Sequence, residues 1–162
     1  YQVEIQSLDQ IELIMDITFS GITNIPEGAD VYLCLADQES HPCFTERHDP
    51  KWSEKQFHVV QFNDTGFDER YRQVSMDDIE YCAKLFKSLT DEHVHVNCHA
   101  GISRSAAITV LGMMLEYETP TLELLRQCKA KVSRGVCRIP RNVTYPNEHI
   151  CNLIKKYFKL EK

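Results

Sequence analysis

Long apolar runs are missing from this sequence. The longest, residues 106–115, contains Gly112 and is far shorter than the about 20 apolar residues that a membrane-spanning helix needs. The N-terminus also lacks a basic stretch followed by an apolar core, which is the pattern of a secretory signal. We therefore expect no membrane association and a cytoplasmic or nuclear location.

Cysteine pairs at metal-binding or redox spacing are missing too. The chain has 7 cysteines, an odd number, with no Cys-x-x-Cys. A chain of 162 residues is long enough to bury a core without disulfides. We therefore expect reduced and mostly buried thiols at all seven positions. They are Cys34, Cys43, Cys82, Cys98, Cys128, Cys137 and Cys151.

Repeats, low-complexity tracts and linkers rich in glycine, serine or proline are also absent, which predicts one domain over residues 1–162.

The net charge of −6 is unevenly distributed. Residues 1–97 carry 7 Lys+Arg against 19 Asp+Glu, whereas residues 98–162 carry 11 against 5. A basic half within an acidic protein favours an anion-binding site over a nucleic-acid partner.

Strand-like and helix-like segments alternate along the chain. Short apolar or β-branched runs predict strands, and apolar residues at helical spacing predict helices. This order predicts an α/β fold, with a mainly parallel central sheet, helices on both faces and a helix-rich C-terminal part. The predicted strands are 11–19, 30–36, 58–62 and 93–97, and the predicted helices are 75–89, 103–117, 120–133 and 147–160.

The segment Cys98-His-Ala-Gly-Ile-Ser-Arg-Ser105 carries the most chemical information. It connects a predicted strand to a predicted helix, so its backbone N–H groups and the helix N-terminus can bind an anion. Gly101 permits a close backbone approach, and the planar guanidinium of Arg104 can bind two phosphate oxygens at once. The same surroundings favour a thiolate at Cys98, which is the form of cysteine that attacks phosphorus.

This segment resembles the phosphate-binding loop of the dual-specificity protein phosphatases, a branch of the cysteine-based protein tyrosine phosphatase superfamily. Their pattern is His-Cys-x-x-Gly-x-x-Arg-Ser/Thr. The resemblance implies hydrolysis of protein phosphoesters through a phosphocysteine, with no cofactor and no metal. It implies that Cys98 is the nucleophile and that residues 99–104 bind the phosphoryl group, namely His99, Ala100, Gly101, Ile102, Ser103 and Arg104.

The resemblance also implies a general acid on an upstream loop and a hydroxyl that assists the leaving thiolate. Asp64 follows a predicted strand at about the expected distance before Cys98, with Asp68 as the alternative. Asn63-Asp64-Thr65-Gly66 is also ordinary turn sequence, so a purely structural role for Asp64 stays open. Ser105 matches the assisting hydroxyl, and it could equally cap the following helix.

The chain departs from the family pattern at two places. Asn97 occupies the position of the usual histidine before the nucleophile. Further on, Pro146-Asn147 resembles an element that supports the loop, but the residues after it do not match.

Other interpretations concern metals and further phosphates. His93, His95 and His99 surround Cys98, but no second cysteine or carboxylate completes a ligand set, so partly exposed strand histidines are the better interpretation. The loop has no lysine of the kind that phosphoinositide phosphatases carry, which favours phosphorylated proteins as substrates. Arg134, Arg138 and Arg141 form either a second basic spot for doubly phosphorylated peptides or ordinary solvated surface.

Two alternative functions share the motif. A phosphopeptide-binding pseudophosphatase would recognise the phosphoryl group without hydrolysing it, and Asn97 is the feature that favours it. An RNA 5′-phosphatase of the same superfamily would be expected to carry a more basic surface than a net charge of −6.

Overall fold

The computed structural model describes residues 16–36, 56–62, 72–89 and 91–160. Its strands are β1 (Asp16–Ser20), β2 (Val31–Ala36), β3 (Gln56–Gln61), β4 (His93–Asn97) and β5 (Arg138–Ile139). They form one sheet in the order β3-β2-β4-β1-β5, and every neighbouring pair is parallel. The segments of predicted strand that the structure describes are therefore confirmed, and β5 is an addition.

Four α-helices lie in the described residues: α1 (Met76–Ser88), α2 (Arg104–Met114), α3 (Leu122–Ser133) and α4 (Glu148–Tyr157). All four correspond to predicted helices, with shorter ends. A short 3₁₀ helix, Ile22–Asn24, was not predicted. Of the described residues, no helix is both long and apolar enough to span a bilayer.

The main core lies between one face of the sheet and the helices. Every residue of α2 is buried, because this helix lies at the centre of that core. The odd-numbered residues of β1 and β2 and the even-numbered residues of β4 point into it, since side chains alternate along a strand. They include Ile17, Phe19, Val31, Leu33, Leu35, Val94 and Val96.

The opposite face of the sheet carries smaller apolar clusters and a row of polar side chains. Tyr32 and Ala29 pack there with Ile25 and Phe57. All four described helices contribute to the main core on the first face, so helices on both faces are not found within the described residues. The fold class, a parallel sheet flanked by helices, is confirmed.

Six of the seven cysteines lie in the described residues, and among these the thiols agree with the expectation except at one position; Cys43 lies outside the described residues. Cys82, Cys98, Cys128, Cys137 and Cys151 are free, and all but Cys137 are buried. Cys34 is disulfide-bonded, so the expectation of a reduced thiol is wrong there. The spacing of cysteines along the sequence does not reveal which of them the fold brings within bonding distance.

Candidate active site

The loop of residues 98–103 leaves the carboxyl end of β4, the central strand, and leads directly into α2. In parallel α/β sheets this edge is the usual place for ligands, because loops there converge beside helix N-termini. The N-terminus of α2 also adds partial positive charge to the loop. The position therefore suits an anionic ligand before any side chain is considered.

Each carbonyl group from residue 99 to residue 103 is held by a donor from another part of the chain or from α2. The His99 oxygen accepts from Ile22 N–H at 3.2 Å, and the Ile102 oxygen accepts from Tyr145 N–H at 2.9 Å. The Ser103 oxygen accepts from the N–H groups of Asn147 and Ala107, both at 3.1 Å.

The two carbonyls in the middle of the loop are held by one side chain. Arg138 Nε donates to the Gly101 oxygen at 2.8 Å, and Arg138 Nη2 donates to the Ala100 oxygen at 3.3 Å. The C=O and N–H groups of a trans peptide point in opposite directions. Holding five consecutive carbonyls away from the loop centre therefore turns the N–H groups of residues 100–104 towards it.

The nucleophile predicted from the sequence lies at the floor of this ring. The Gly101 N–H donates to Cys98 Sγ at 3.2 Å, and Ser105 Oγ lies 3.2 Å from the same sulfur. Cys98 is 2% exposed, and its own N–H donates to the Ser20 carbonyl at 3.3 Å. The sulfur thus has two hydrogen-bonding partners that can stabilise negative charge.

Gly101 and Gly21 allow the loop to pack tightly against the end of β1. Gly101 has a φ of 71°, and a Cβ at that position would lie 2.2 Å from the Gly21 nitrogen. A Cβ on Gly21 would lie 2.8 Å from the Ala100 oxygen. Neither site can accept a side chain without displacing the loop backbone.

Arg104 begins α2 and is buried, with 4% exposure. Its Nη1 donates to the Phe62 carbonyl at 2.9 Å. Phe62 follows β3 and precedes Asp64 by two positions in the sequence. Asp64 and Asp68, the two candidate acids, lie outside the described residues.

The other predicted loop residues differ in how far their side chains are exposed. His99, Ala100 and Ile102 are exposed, Ser103 is partly exposed, and Gly101 is buried. Asn147, from the weakly matching Pro-Asn pair, donates its N–H to the Ser103 carbonyl, and its side chain caps α4 by accepting from Ile150 N–H at 2.9 Å. This contact is of the supporting kind that the resemblance implies.

The burial of His95 differs from the expectation of a partly exposed histidine. It is fully buried, with 0% exposure, whereas His93 is partly buried. His95 is hydrogen-bonded through both ring nitrogens to hydroxyl groups of β1, Thr18 and Ser20. Those hydroxyls lie far away in sequence, which explains why the spacing of the histidines alone did not indicate burial. Among the described residues, no group of three or more metal-ligating side chains is found.

Arg138 is the functional-site residue that sequence reasoning misplaced. The pattern offered it as part of a second basic spot or as solvated surface, but its guanidinium binds the loop carbonyls. A two-residue strand positions it, and so short a strand has no periodicity to detect. The hydrogen bonds that Ile22 and Tyr145 make to the loop use backbone N–H groups, which any residue type other than proline could supply, so their side chains gave no signal of this role.

Comparison with solved structures identifies proteins with a similar fold. The chain is similar to the Yvh1 phosphatase domain from Chaetomium thermophilum, with 13% identity over 92% of this chain and 94% of that one, at a TM-score of 0.62. It is similar to human DUSP28, with 16% identity over 82% and 76% of the two chains and a TM-score of 0.52.

A third similar structure is the human tyrosine phosphatase-like serine/threonine/tyrosine-interacting protein, with 18% identity over 80% and 76% of the two chains and a TM-score of 0.51. No protein-family model matches the sequence, and no curated protein matches it. The structural likenesses show that the chain has the fold of the cysteine-based protein tyrosine phosphatase superfamily. The resemblance noted in the sequence is thereby confirmed at the level of the fold.

Proposed function

We propose that this chain is a protein phosphatase that hydrolyses phosphotyrosine and phosphoserine or phosphothreonine through a phosphocysteine at Cys98. The observation that carries the proposal is that donors hold five consecutive loop carbonyls, which turns the opposite peptide N–H groups towards the loop centre, where the Gly101 N–H donates to the Cys98 sulfur. Such preorganised donors stabilise the charge that develops on phosphoryl oxygens during transfer. The likeness of the fold to phosphatases supports the same reaction class.

In the first step the Cys98 thiolate attacks phosphorus, so that an S–P bond forms while the P–O bond to the leaving group breaks. The loop N–H groups and the Arg104 guanidinium stabilise the equatorial oxygens. Asp64 donates a proton to the leaving oxygen. The short sequence distance from Phe62, whose carbonyl binds Arg104, supports assigning this acid to Asp64.

In the second step a water molecule attacks phosphorus and gives a proton to the Asp64 carboxylate. The S–P bond breaks, and the electron pair returns to Cys98 as a thiolate. Ser105 Oγ, 3.2 Å from the sulfur, can donate a hydrogen bond to that developing charge. Inorganic phosphate leaves, and the residues return to their starting protonation states.

Exposed side chains beside the ring support a polypeptide substrate. Ile102 is 37% exposed and Tyr145 is 72% exposed, and the backbones of these two residues are hydrogen-bonded to each other. Apolar groups placed next to a phosphate site can pack against residues that flank a phosphorylated side chain. The free loop positions carry no lysine, which gives no support to a polyphosphorylated lipid.

The alternative is a phosphopeptide-binding module without turnover. The resemblance to a protein named for interaction and the presence of Asn97 before the nucleophile favour it. The retained cysteine, arginine and serine of the loop favour an enzyme.

The deciding experiment is steady-state hydrolysis of a small aryl phosphate, with and without a chelator. We expect turnover by the wild-type chain that the chelator does not change, and no turnover by Cys98→Ser. Cys128→Ser is the matched control, because Cys128 is a buried thiol of α3. Asp64→Asn in the same assay should turn over slowly and lose much of its pH dependence.

Cys98→Ser should still bind inorganic phosphate, because the loop N–H groups and Arg104 remain. Undiminished hydrolysis by Cys98→Ser would contradict the phosphocysteine step. Phosphopeptide binding without any hydrolysis by the wild-type chain would select the binding module instead.

A further inference from the structure

Four polar side chains form a continuous line on the sheet face opposite the main core. Thr18 and Ser20 belong to β1, and His93 and His95 belong to β4. Thr18 Oγ1 lies 2.7 Å from His93 Nε2 and 2.7 Å from His95 Nδ1. Ser20 Oγ lies 2.7 Å from His95 Nε2, which links the line to the carboxyl end of β1.

Counting protons gives this line a direction. The Ser20 hydroxyl donates its one proton to the Gly21 carbonyl at 2.8 Å, so Ser20 Oγ must accept from His95 Nε2–H. A neutral His95 protonated at Nε2 leaves Nδ1 as an acceptor, and Thr18 supplies the proton there. Thr18 Oγ1 therefore accepts from His93 Nε2–H.

Burial keeps His95 in this neutral form. The ring is 0% exposed and contacts the edge of Tyr32 on the neighbouring strand, with 6.2 Å between ring centroids. Desolvation, and to a lesser degree the nearby His93, lowers the pKa of His95 to about 3. The proton count above therefore holds near neutral pH.

The line ends at the backbone that supports the loop. The Ser20 carbonyl accepts a hydrogen bond from the Cys98 N–H, and the Ile22 N–H donates to the His99 carbonyl. Gly21, which lies between them, is in close contact with the Ala100 and Gly101 backbone. A hydrogen bond that fixes the Gly21 carbonyl consequently fixes a peptide plane on which the loop rests.

Asn97 does not provide this support. The Asn97 side chain donates from Nδ2 to Cys34 Sγ, 3.8 Å away on β2. Polar support beneath the loop in this chain comes instead from His95, two residues earlier on the same face of β4.

We propose that Thr18, His95 and Ser20 are positioning residues of the phosphate-binding loop. Together with His93 they form a directed hydrogen-bond chain that holds the Ser20–Gly21 backbone against residues 98–101. Only the kinetic part of the following test rests on the proposed function, because ring protonation and phosphate binding can be measured without turnover.

The first measurement is the tautomer of His95 by ¹⁵N–¹H NMR of histidine rings in the wild-type chain, in which the His95 signals are identified by their absence from His95→Gln. We expect a neutral ring with its proton on Nε2 near neutral pH. A ring protonated at Nδ1, or on both nitrogens, would overturn the directed chain.

The second measurement compares Thr18→Val with Thr18→Ser. Valine keeps the shape but removes the hydroxyl, which breaks the chain, whereas serine keeps the hydroxyl. We expect Thr18→Val to lower kcat/KM on an aryl phosphate about tenfold, as small displacements of catalytic groups do, and to weaken binding of inorganic phosphate. Thr18→Ser should stay within about twofold of wild type on both, because its hydrogen bonds remain.

Thr121→Val controls for stability alone, since Thr121 accepts from Leu124 N–H at the start of α3. It should lower Tm without changing kcat/KM. If Thr18→Val lowers Tm and leaves phosphate affinity and kcat/KM at wild-type values, the line is merely structural and the proposal fails. If Thr18→Val does not fold, the phosphate affinity of Ser20→Ala decides: a weakened affinity supports the proposal, and an unchanged one overturns it.

Discussion

Among the free cysteines, Cys98 differs from the others in what surrounds the sulfur. Burial raises the pKa of Cys82, Cys128 and Cys151 to about 12 and that of Cys137 to about 11. Those four thiols are therefore protonated, and unreactive, near neutral pH. Cys98 instead accepts a hydrogen bond from the Gly101 N–H, and Ser105 Oγ lies 3.2 Å from its sulfur.

This difference predicts selective alkylation. In the native chain at pH 7, we expect iodoacetamide to label Cys98 well before the thiols of α1, α3 and α4, as measured by mass spectrometry of peptides. Under the proposed function, inorganic phosphate should slow the labelling by occupying the loop above the sulfur. Faster labelling of Cys128 or Cys151 than of Cys98 would contradict the environment described for the Cys98 sulfur.

At the scale of secondary-structure elements, β5 has an importance out of proportion to its length. It consists of Arg138 and Ile139 and pairs with β1, and this pairing brings the Arg138 guanidinium beneath the loop. One planar side chain thereby fixes two neighbouring carbonyls, which a lysine cannot do with the same geometry.

Replacing Arg138 should therefore disorganise the loop. We expect Arg138→Ala to lower kcat/KM on an aryl phosphate about tenfold to a hundredfold, since the N–H groups opposite the freed carbonyls lose their fixed direction. Arg138→Lys should recover part of the loss. Arg141→Ala is the matched control, because Arg141 is an exposed cation three positions away, and its removal changes the charge without touching these carbonyls. Equal losses in Arg138→Ala and Arg141→Ala would point to long-range charge instead of anchoring.

Elements with many periodic residues were predictable from the sequence, and contacts between distant elements were not. The helices α1 to α4 have apolar residues at helical spacing, and the loop before α2 has a recognisable order of Cys98, Gly101 and Arg104. The partners of that loop come from positions near 22, 138 and 145. Nothing local in the sequence marks Ile22, Arg138 or Tyr145 as partners of the loop, because tertiary packing alone brings them there. Asn147 was indicated only through the family resemblance.

The same reasoning applies to His95. Side chains alternate along β4, so His93, His95 and Asn97 lie on one face of the strand. Burial of His95 depends on hydrogen bonds to the Thr18 and Ser20 hydroxyl groups of β1. These hydroxyls come within bonding distance of the ring only when β1 and β4 pair in the observed register. A polar strand face therefore looked exposed in the sequence although it is buried in the fold.

For the molecule as a whole, burying a neutral histidine makes stability depend on pH. The pKa of His95 falls from 6.5 to about 3 on folding, so the unfolded chain binds a proton that the folded chain excludes. The stabilisation is fully present above pH 6.5 and is lost as the pH falls towards 3.

The size of this effect can be measured by urea unfolding. Between pH 6.5 and pH 5, we expect His95 to lower the free energy of unfolding of the wild-type chain by about 1.5 kcal/mol. Glutamine does not titrate, so the free energy of unfolding of His95→Gln should fall by about 1.5 kcal/mol less than that of the wild-type chain over the same interval. Parallel pH dependences for the two chains would show that His95 does not remain neutral in the folded state.

The donors that hold the loop carbonyls come from both sides of it along the chain, and this has a consequence for biosynthesis. Ile22 is made before the loop, but Arg138, Tyr145 and Asn147 are made after it. A ribosome-bound nascent chain that has just exposed Cys98 carries the whole signature and few of its anchors. The full set of anchors for this loop therefore becomes available only after Asn147 has been synthesised.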